Sequence, residues 1–146
     1  RIVGIKEASS EPTRLSALLA LRRDDFVILS GDDGTACRAM LAGADGLASV
    51  GSNALPAAFR RLCDLARQGD EGAALAWDAG MQAFYPFLGL QSNPIPVKAL
   101  LQGLGYGAGL RLPLLPLAGE YQQQADLLLK AIPALEAQSA RESIAA

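Results

Sequence analysis

The chain has 146 residues, about the size of one domain, with 51% hydrophobic and 19% charged residues and a net charge of −2. That composition excludes a disordered chain, and with no basic stripe to neutralise a phosphate backbone, no nucleic-acid partner is expected. The histidine count is zero, which excludes His-based triads, HExxH zinc sites and Cys₂His₂ fingers within these residues. Aromatic residues make up only 5%, so a core of Leu, Ala, Val and Ile is expected. No apolar run reaches the ~18–20 residues that cross a bilayer, and Arg1–Ile5 lacks the layout of a signal peptide. The expected location is cytoplasmic, away from membranes. Cys37 and Cys63 show neither metal nor CxxC spacing. Both fall in helical patterns, where a buried thiol is the commoner state.

In chain order, Ile2-Val3-Gly4-Ile5 is a short apolar run that predicts a strand, closed by the charged pair Lys6-Glu7. Ser9-Ser10-Glu11-Pro12 reads as a helix start, followed by Leu15, Leu18 and Leu19 at helical spacing. Phe26–Ser30 predicts a second strand. Gly31-Asp32-Asp33-Gly34 breaks it and caps a helix carrying Ala36, Cys37, Met40 and Leu41, with Gly43 as its stop. Gly46–Val50 predicts a third strand, and Asn53 a cap for a helix with Leu55, Phe59, Leu62 and Ala66 on one face. The three strands begin 20 to 24 residues apart and are continuously apolar. That is the pattern of a parallel sheet covered by helices.

After Gly69-Asp70 the pattern turns helical. Ala74, Trp77, Met81, Phe84 and Leu88 define one face, with Pro86 expected to kink or end the helix. Asn93–Lys98 starts another helix, running to about Leu104. Residues 103–109 are glycine-rich, and Arg111–Leu117, with two prolines, is expected to be extended. Tyr121, Ala125, Leu128, Ile132 and Leu135 define a last helix, and 137–146 are expected to fray.

Four segments invite chemistry. Lys6 is one of three lysines among thirteen basic residues. It ends an apolar strand on the side of Gly4, which leaves room beside it. At the C-terminal end of a parallel strand it faces the rim where α/β proteins place their sites. Partial burial disfavours an ammonium, and a neutral amine is the form that attacks a carbonyl. The plain alternative is a solvated lysine paired with Glu7. Asp32 and Asp33 admit a Mg²⁺ reading, but helix capping suits them better, because no further carboxylates follow at a useful spacing. Gly103–Gly109 follows a helix and lacks GxGxxG spacing, so a turn is expected rather than a nucleotide loop. Gly46–Gly51 fits either close approach of a ligand or close packing in a sheet.

Ile2-Val3-Gly4-Ile5-Lys6-Glu7-Ala8-Ser9 resembles the Schiff-base lysine motif of the dihydrodipicolinate synthase family. Leu29–Asp33, Gly43–Val50, Asn93–Lys98 and Leu110–Pro113 resemble further signatures of that family, in the same order, and the likeness covers residues 1 to about 132. The lysine motif alone indicates the wider pyruvate-aldolase superfamily; the Asn-Pro-Ile-Pro-Val-Lys segment narrows it to the synthase branch. The resemblance implies an α/β fold, the C-terminal part of a (β/α)₈ TIM barrel. Residues 1–69 are then its last three β/α units, and 70–146 a helical C-terminal region. Such barrels take ~250 residues, and the resemblance implies that this chain starts at the sixth strand.

By the same resemblance, Lys6 attacks the ketone of pyruvate to form an imine. The derived enamine adds to the aldehyde of aspartate semialdehyde, with no metal and no cofactor. Ala48 maps onto a pyruvate-contacting backbone position where the family usually carries a bulkier aliphatic, and Gly31 lines the site wall. The carboxylate-binding hydroxyls, the tyrosine relay and the arginine for the second substrate belong to the other part of the barrel. Tyr85, Tyr106 and Tyr121 do not match the relay motif. The partners implied are the two substrates and further copies of the chain in a homotetramer. Residues 1–146 alone are expected to be inactive unless the rest of the barrel is supplied. Two other readings stay open: a sibling lyase for N-acetylneuraminate or a 2-keto-3-deoxy sugar acid, and a non-catalytic assembly module.

Overall fold

A computed structural model describes residues 1–9 and 11–144. The predicted alternation is present as β1 (Gly4–Glu7), α1 (Pro12–Leu19), β2 (Val27–Ser30), α2 (Ala36–Leu41) and β3 (Gly46–Leu47). Five further helices follow: α3 (Pro56–Gln68), α4 (Glu71–Met81), α5 (Phe84–Leu88), α6 (Ile95–Gly103) and α7 (Gln122–Ile144). Short 3₁₀ turns occupy Gly51–Asn53 and Gly119–Tyr121. The strands form a parallel sheet in the order β1-β2-β3. A helix lies between successive strands in sequence, which supplies the crossover that parallel pairing requires. By its contacts the chain forms two compact units: residues 1–49 with 62–80, and 50–61 with 81–146.

In the first unit, register pairs Gly4 with Val27, Lys6 with Leu29 and Leu29 with Gly46. Side chains alternate across a strand, so one face of β2 carries Ile28 and Ser30 and the other Val27 and Leu29. Ile28 is 1% exposed and Val27 44%. The buried face packs on α2, which contributes Ala36, Cys37, Ala39 and Met40 to the core. The face of Val27 and Lys6 is the open one. Asp45 pins β3 in place: its backbone N–H donates to the Ile28 carbonyl (2.8 Å), and its carboxylate accepts the Ile28 N–H (2.8 Å) and Arg22 Nη2 (2.6 Å).

The third strand stops at Leu47 rather than reaching Val50. Ala48 N–H still donates to the Ser30 carbonyl (2.8 Å). Beyond it β2 has ended, so no ladder remains to extend, and the chain turns into the 3₁₀ segment.

In the second unit Phe84, Phe87, Ile95, Val97, Leu100, Ala125, Leu128 and Ile132 are buried. Aromatics thus join a core that composition assigned to aliphatics: Phe59, Phe84 and Phe87 are each at most 3% exposed. Ala125, Leu128 and Ile132 recur at three- and four-residue spacing on α7, as the periodicity predicts. α6 packs on α7 where Gly103 leaves space for Leu129.

Four local expectations change. Asn53 does not cap α3; its Nδ2 donates back to the Val50 carbonyl (2.9 Å). The first amides of α3 are satisfied instead by Glu136 of α7, whose carboxylate accepts the N–H groups of Ala57 (3.1 Å) and Ala58 (2.9 Å). A carboxylate on two orphan amides at a helix N-terminus combines charge-assisted bonding with the helix dipole. Glu136→Ala should therefore cost about 2 kcal/mol in urea denaturation. A loss below about 0.5 kcal/mol would show that water replaces the carboxylate.

Pro86 lies inside α5, and the helix break falls before it, at Gln82–Ala83. A proline in the first turn is tolerated because the N–H it lacks has no partner there. Arg111–Leu117 is not a straight extended run, since Leu114 N–H donates to the Arg111 carbonyl (3.1 Å) in a turn. Prolines exclude helix there, but no neighbouring strand draws the segment straight. Finally, α7 continues to Ile144, so most of the stretch expected to fray is helical, with Ser139 buried and its Oγ donating to the Leu135 carbonyl (2.8 Å). Ser10, a cap candidate, and the last two residues lie outside the described residues.

Candidate active site

Parallel strands bring their C-terminal ends to one edge of the sheet. Lys6 stands at the end of β1, Gly31 directly after β2 and Ala48 directly after β3. Two backbone bonds lace this rim: Gly31 N–H donates to the Glu7 carbonyl (2.7 Å), and Ala48 N–H to the Ser30 carbonyl. Register places Lys6, Leu29 and Gly46 in one row, and strand parity gives Gly31 and Ala48 the same face two residues further on. The three site residues expected from sequence are therefore brought together along one rim.

The contact between Lys6 and Gly31 is close. A Cβ built on Gly31 would lie 2.5 Å from Lys6 Cε, 2.9 Å from Lys6 Cγ and 3.1 Å from the Ala8 methyl. The lysine chain thus crosses the bare α-carbon of Gly31. This corrects the role given to Gly4. A Cβ there would meet the Val27 carbonyl oxygen at 2.7 Å, so Gly4 admits the neighbouring backbone, and the room for Lys6 comes from Gly31. Gly46 and Gly51 follow the packing reading: Leu29 Cδ2 lies 3.3 Å from a Cβ at Gly46, and the Phe59 ring 2.6 Å from one at Gly51.

The pairing of Lys6 with Glu7 does not form. Adjacent strand residues point to opposite faces. Glu7 turns toward α1, where its carboxylate accepts Arg14 Nε (2.6 Å) and the Ser9 N–H (2.9 Å). The Arg14 hydrogen bond, followed by the Ser9 amide, holds this carboxyl below its ordinary range. Among the described residues Lys6 makes no hydrogen bond and no ion pair. Its side chain is exposed at the rim, not partly buried, because these residues leave that face of the sheet uncovered.

Asp32 takes the capping role: its Oδ2 accepts the Thr35 N–H (3.0 Å) and Thr35 Oγ1–H (2.7 Å), closing the turn before α2. Among the described residues no cluster of three His, Cys, Asp or Glu side chains could hold a metal ion. Neither cysteine forms a disulfide. Burial pushes the Cys37 thiol up to about 11, and the carboxylate of Asp78 adds to the effect. Cys37 should thus resist a thiol-specific disulfide reagent at pH 7.5, where almost none of it is thiolate. Peptide mapping reads this directly, and rapid labelling of Cys37 in the folded protein would contradict it.

In the second unit Lys98 is a staple, with Nζ donating to the Gly109 carbonyl (3.0 Å). The glycine-rich segment is a set of tight bends: Gly105, Gly107 and Gly109 have φ of +86°, +80° and +92°, where a side chain would be strained. No helix among the described residues is long and apolar enough to cross a membrane.

A parallel sheet with helices between its strands, and Lys6 at its C-terminal rim, defines a class: an α/β fold of the kind whose strand ends form the functional edge. The family model of the dihydrodipicolinate synthetase family matches residues 1–132, and the chain belongs to that family. It is 65% identical over 145 residues to the 4-hydroxy-tetrahydrodipicolinate synthase of Xanthomonas axonopodis pv. citri, covering 99% of this chain and 48% of the relative. The chain spans about half the length of the curated relatives it matches. Among solved structures, the dihydrodipicolinate synthase of Acinetobacter baumannii complexed with pyruvate superimposes with a TM-score of 0.84 at 40% identity, covering 88% of this chain and 45% of that one. The 4-hydroxy-tetrahydrodipicolinate synthase of Methylacidiphilum fumariolicum gives 0.86 at 33% identity, covering 96% and 47%. The three strands and their helices are therefore part of a TIM barrel, followed by a helical C-terminal region.

Arg14 is the site-region residue that the sequence reading missed. Its signal was weak: a basic residue in the first turn of α1, seven positions after Glu7, with no local motif to join them.

Proposed function

We propose that this chain is the C-terminal part of a Schiff-base lyase that condenses pyruvate with aspartate semialdehyde to 4-hydroxy-tetrahydrodipicolinate, on the route to diaminopimelate and lysine. The observation that carries the reading is the unpaired amine of Lys6 lying across Gly31 at the rim, in a chain of this family. The neutral amine adds to C2 of pyruvate, and loss of water gives a protonated imine. That cation accepts the electron pair left when a C3 proton departs. The enamine carbon then bonds to the aldehyde carbon of the second substrate, whose oxygen takes up a proton as the imine re-forms; the second substrate's own amino group adds to the imine carbon, closing the ring and releasing the Lys6 amine. The backbone at Ala48 and the wall at Gly31 bound the pyruvate. No metal or cofactor is required, because the imine is itself the electron sink.

Residues 1–69 supply three barrel units and 70–146 the helical region in this reading. Three strands cannot close a barrel. Ile2 and Val3, which lead into the edge strand β1, are 82% and 59% exposed. Residues 1–146 alone should thus be inactive, and the remaining strands must join β1 for turnover. The assembled enzyme is cytoplasmic and a homotetramer. The synthase names of the relatives favour this aldehyde over a sugar acid.

The test is to join the preceding half of the Xanthomonas axonopodis relative ahead of Arg1 and treat the product with pyruvate and borohydride. A reduced pyruvate adduct on Lys6 is expected in the joined protein and not in residues 1–146 alone. An adduct confined to Lys98 or Lys130, or full turnover by the shorter chain, would overturn the reading.

A further inference from the structure

We propose that the Glu7–Arg14 pair is a positioning device for Lys6: strand alternation puts the acid that follows the amine on the far face of the sheet, and Arg14 neutralises it there. The proposal rests on the aldolase reading of the site and adds two residues to it. Glu7 is a junction of three bonds. Its carbonyl holds the Gly31 N–H, the residue that Lys6 crosses, while its carboxylate holds the Ser9 N–H and Arg14 of α1. One residue therefore fixes the floor under the lysine, the turn after β1 and the entry of α1. Asp32, after β2, is bound to Thr35, Asp33 is buried, and Ala48 and Ser49 after β3 carry no charge.

A free carboxylate one residue from the amine would stabilise its ammonium and slow addition to a carbonyl. Arg14 supplies the opposing charge, so the acid can serve as an anchor without acting on Lys6. A purely structural clasp makes no such demand on charge, which gives the proposal a distinctive signature.

The measurement is the pH dependence of imine trapping by borohydride, at saturating pyruvate, in the joined full-length barrel. Arg14→Gln leaves Glu7 unneutralised. The pH midpoint of trapping should rise by about 0.5–1 unit, and the rate at pH 7 should fall about 3–10-fold. Glu7→Gln leaves the Arg14 cation instead and should move the midpoint in the opposite direction. The double variant should return near the parent value. Arg14→Lys keeps the charge while losing the guanidinium geometry, and its midpoint should stay put even if its melting temperature falls. Midpoints unchanged in both single variants, or displaced in the same direction, would overturn the proposal and leave the pair as a structural clasp. Absence of any Lys6 adduct in the parent protein is a different result, because it overturns the aldolase reading itself.

Discussion

Lys6→Ala in the joined barrel should abolish the borohydride-trapped adduct and lower turnover by at least about 10³-fold, because it removes the amine at the rim that forms the imine. Lys6→Arg should do the same, since a guanidinium stays protonated and is no nucleophile. Neither change should harm the fold. In residues 1–146 Lys6 is exposed and makes no hydrogen bond or ion pair among the described residues, so the stability of this chain should stay within about 0.5 kcal/mol of its parent. The separation of a large kinetic loss from a negligible thermodynamic one is the mark of a nucleophile. Intact protein mass after trapping and urea denaturation measure the two halves. A variant that retains the adduct, or loses activity only in proportion to its unfolded fraction, would remove Lys6 from the role.

Gly31→Ala should reduce the rate of imine formation by about 10–100-fold with only a small change in stability. The new methyl would fall 2.5 Å from Lys6 Cε, so the lysine must leave its path. The end of a lysine chain moves cheaply, and the fold survives. The amine, however, no longer lies where it did, and a displacement of about 1 Å can cost 10²-fold in rate. The Ala8 methyl at 3.1 Å and Lys6 Cγ at 2.9 Å leave little room for the methyl to be absorbed otherwise. A double-mutant cycle identifies the cause. In a Lys6→Ala background the obstacle is removed, so Gly31→Ala should lose most of whatever stability penalty it shows alone. A parent-like trapping rate in Gly31→Ala would show that the lysine reaches pyruvate by another path.

Acid should act on the Glu7 clasp. Its carboxyl is held below its ordinary range in the folded chain, so the stability it contributes is present above the unfolded value near 4.5. That stability is lost as pH falls through the lower, folded value. The direction follows from Arg14 and the Ser9 amide favouring the charged form.

Much of the fold was legible in the sequence because its signals are local. Apolar runs separated by about one helix length dictate parallel strands, and three- and four-residue spacing placed Ala125, Leu128 and Ile132 on the inner face of α7. The Lys6 motif and the signatures that follow it carry the family likeness in short stretches of sequence. Gly31 and Ala48 came from the family resemblance, and parallel strands, which must end on one edge, put them on the same rim as Lys6.

What the tertiary structure decided depends on partners far apart in the chain. Glu136 caps α3 from 78 residues away, while Asn53, the cap that local pattern favours, bonds backward to Val50. Gly4 and Gly31 are equivalent to a sequence reader. Only the register of β1 against β2 shows which one meets backbone and which one carries the lysine. The same register turns Glu7 away from Lys6 and into reach of Arg14. So the 146 residues, which composition alone reads as one domain, carry a three-stranded parallel sheet that belongs to a barrel. Periodicity determines where elements form, because it acts over one or two turns. Which side chains meet is set by strand register and helix packing, where interactions distant in sequence compete and the best-satisfied polar groups prevail.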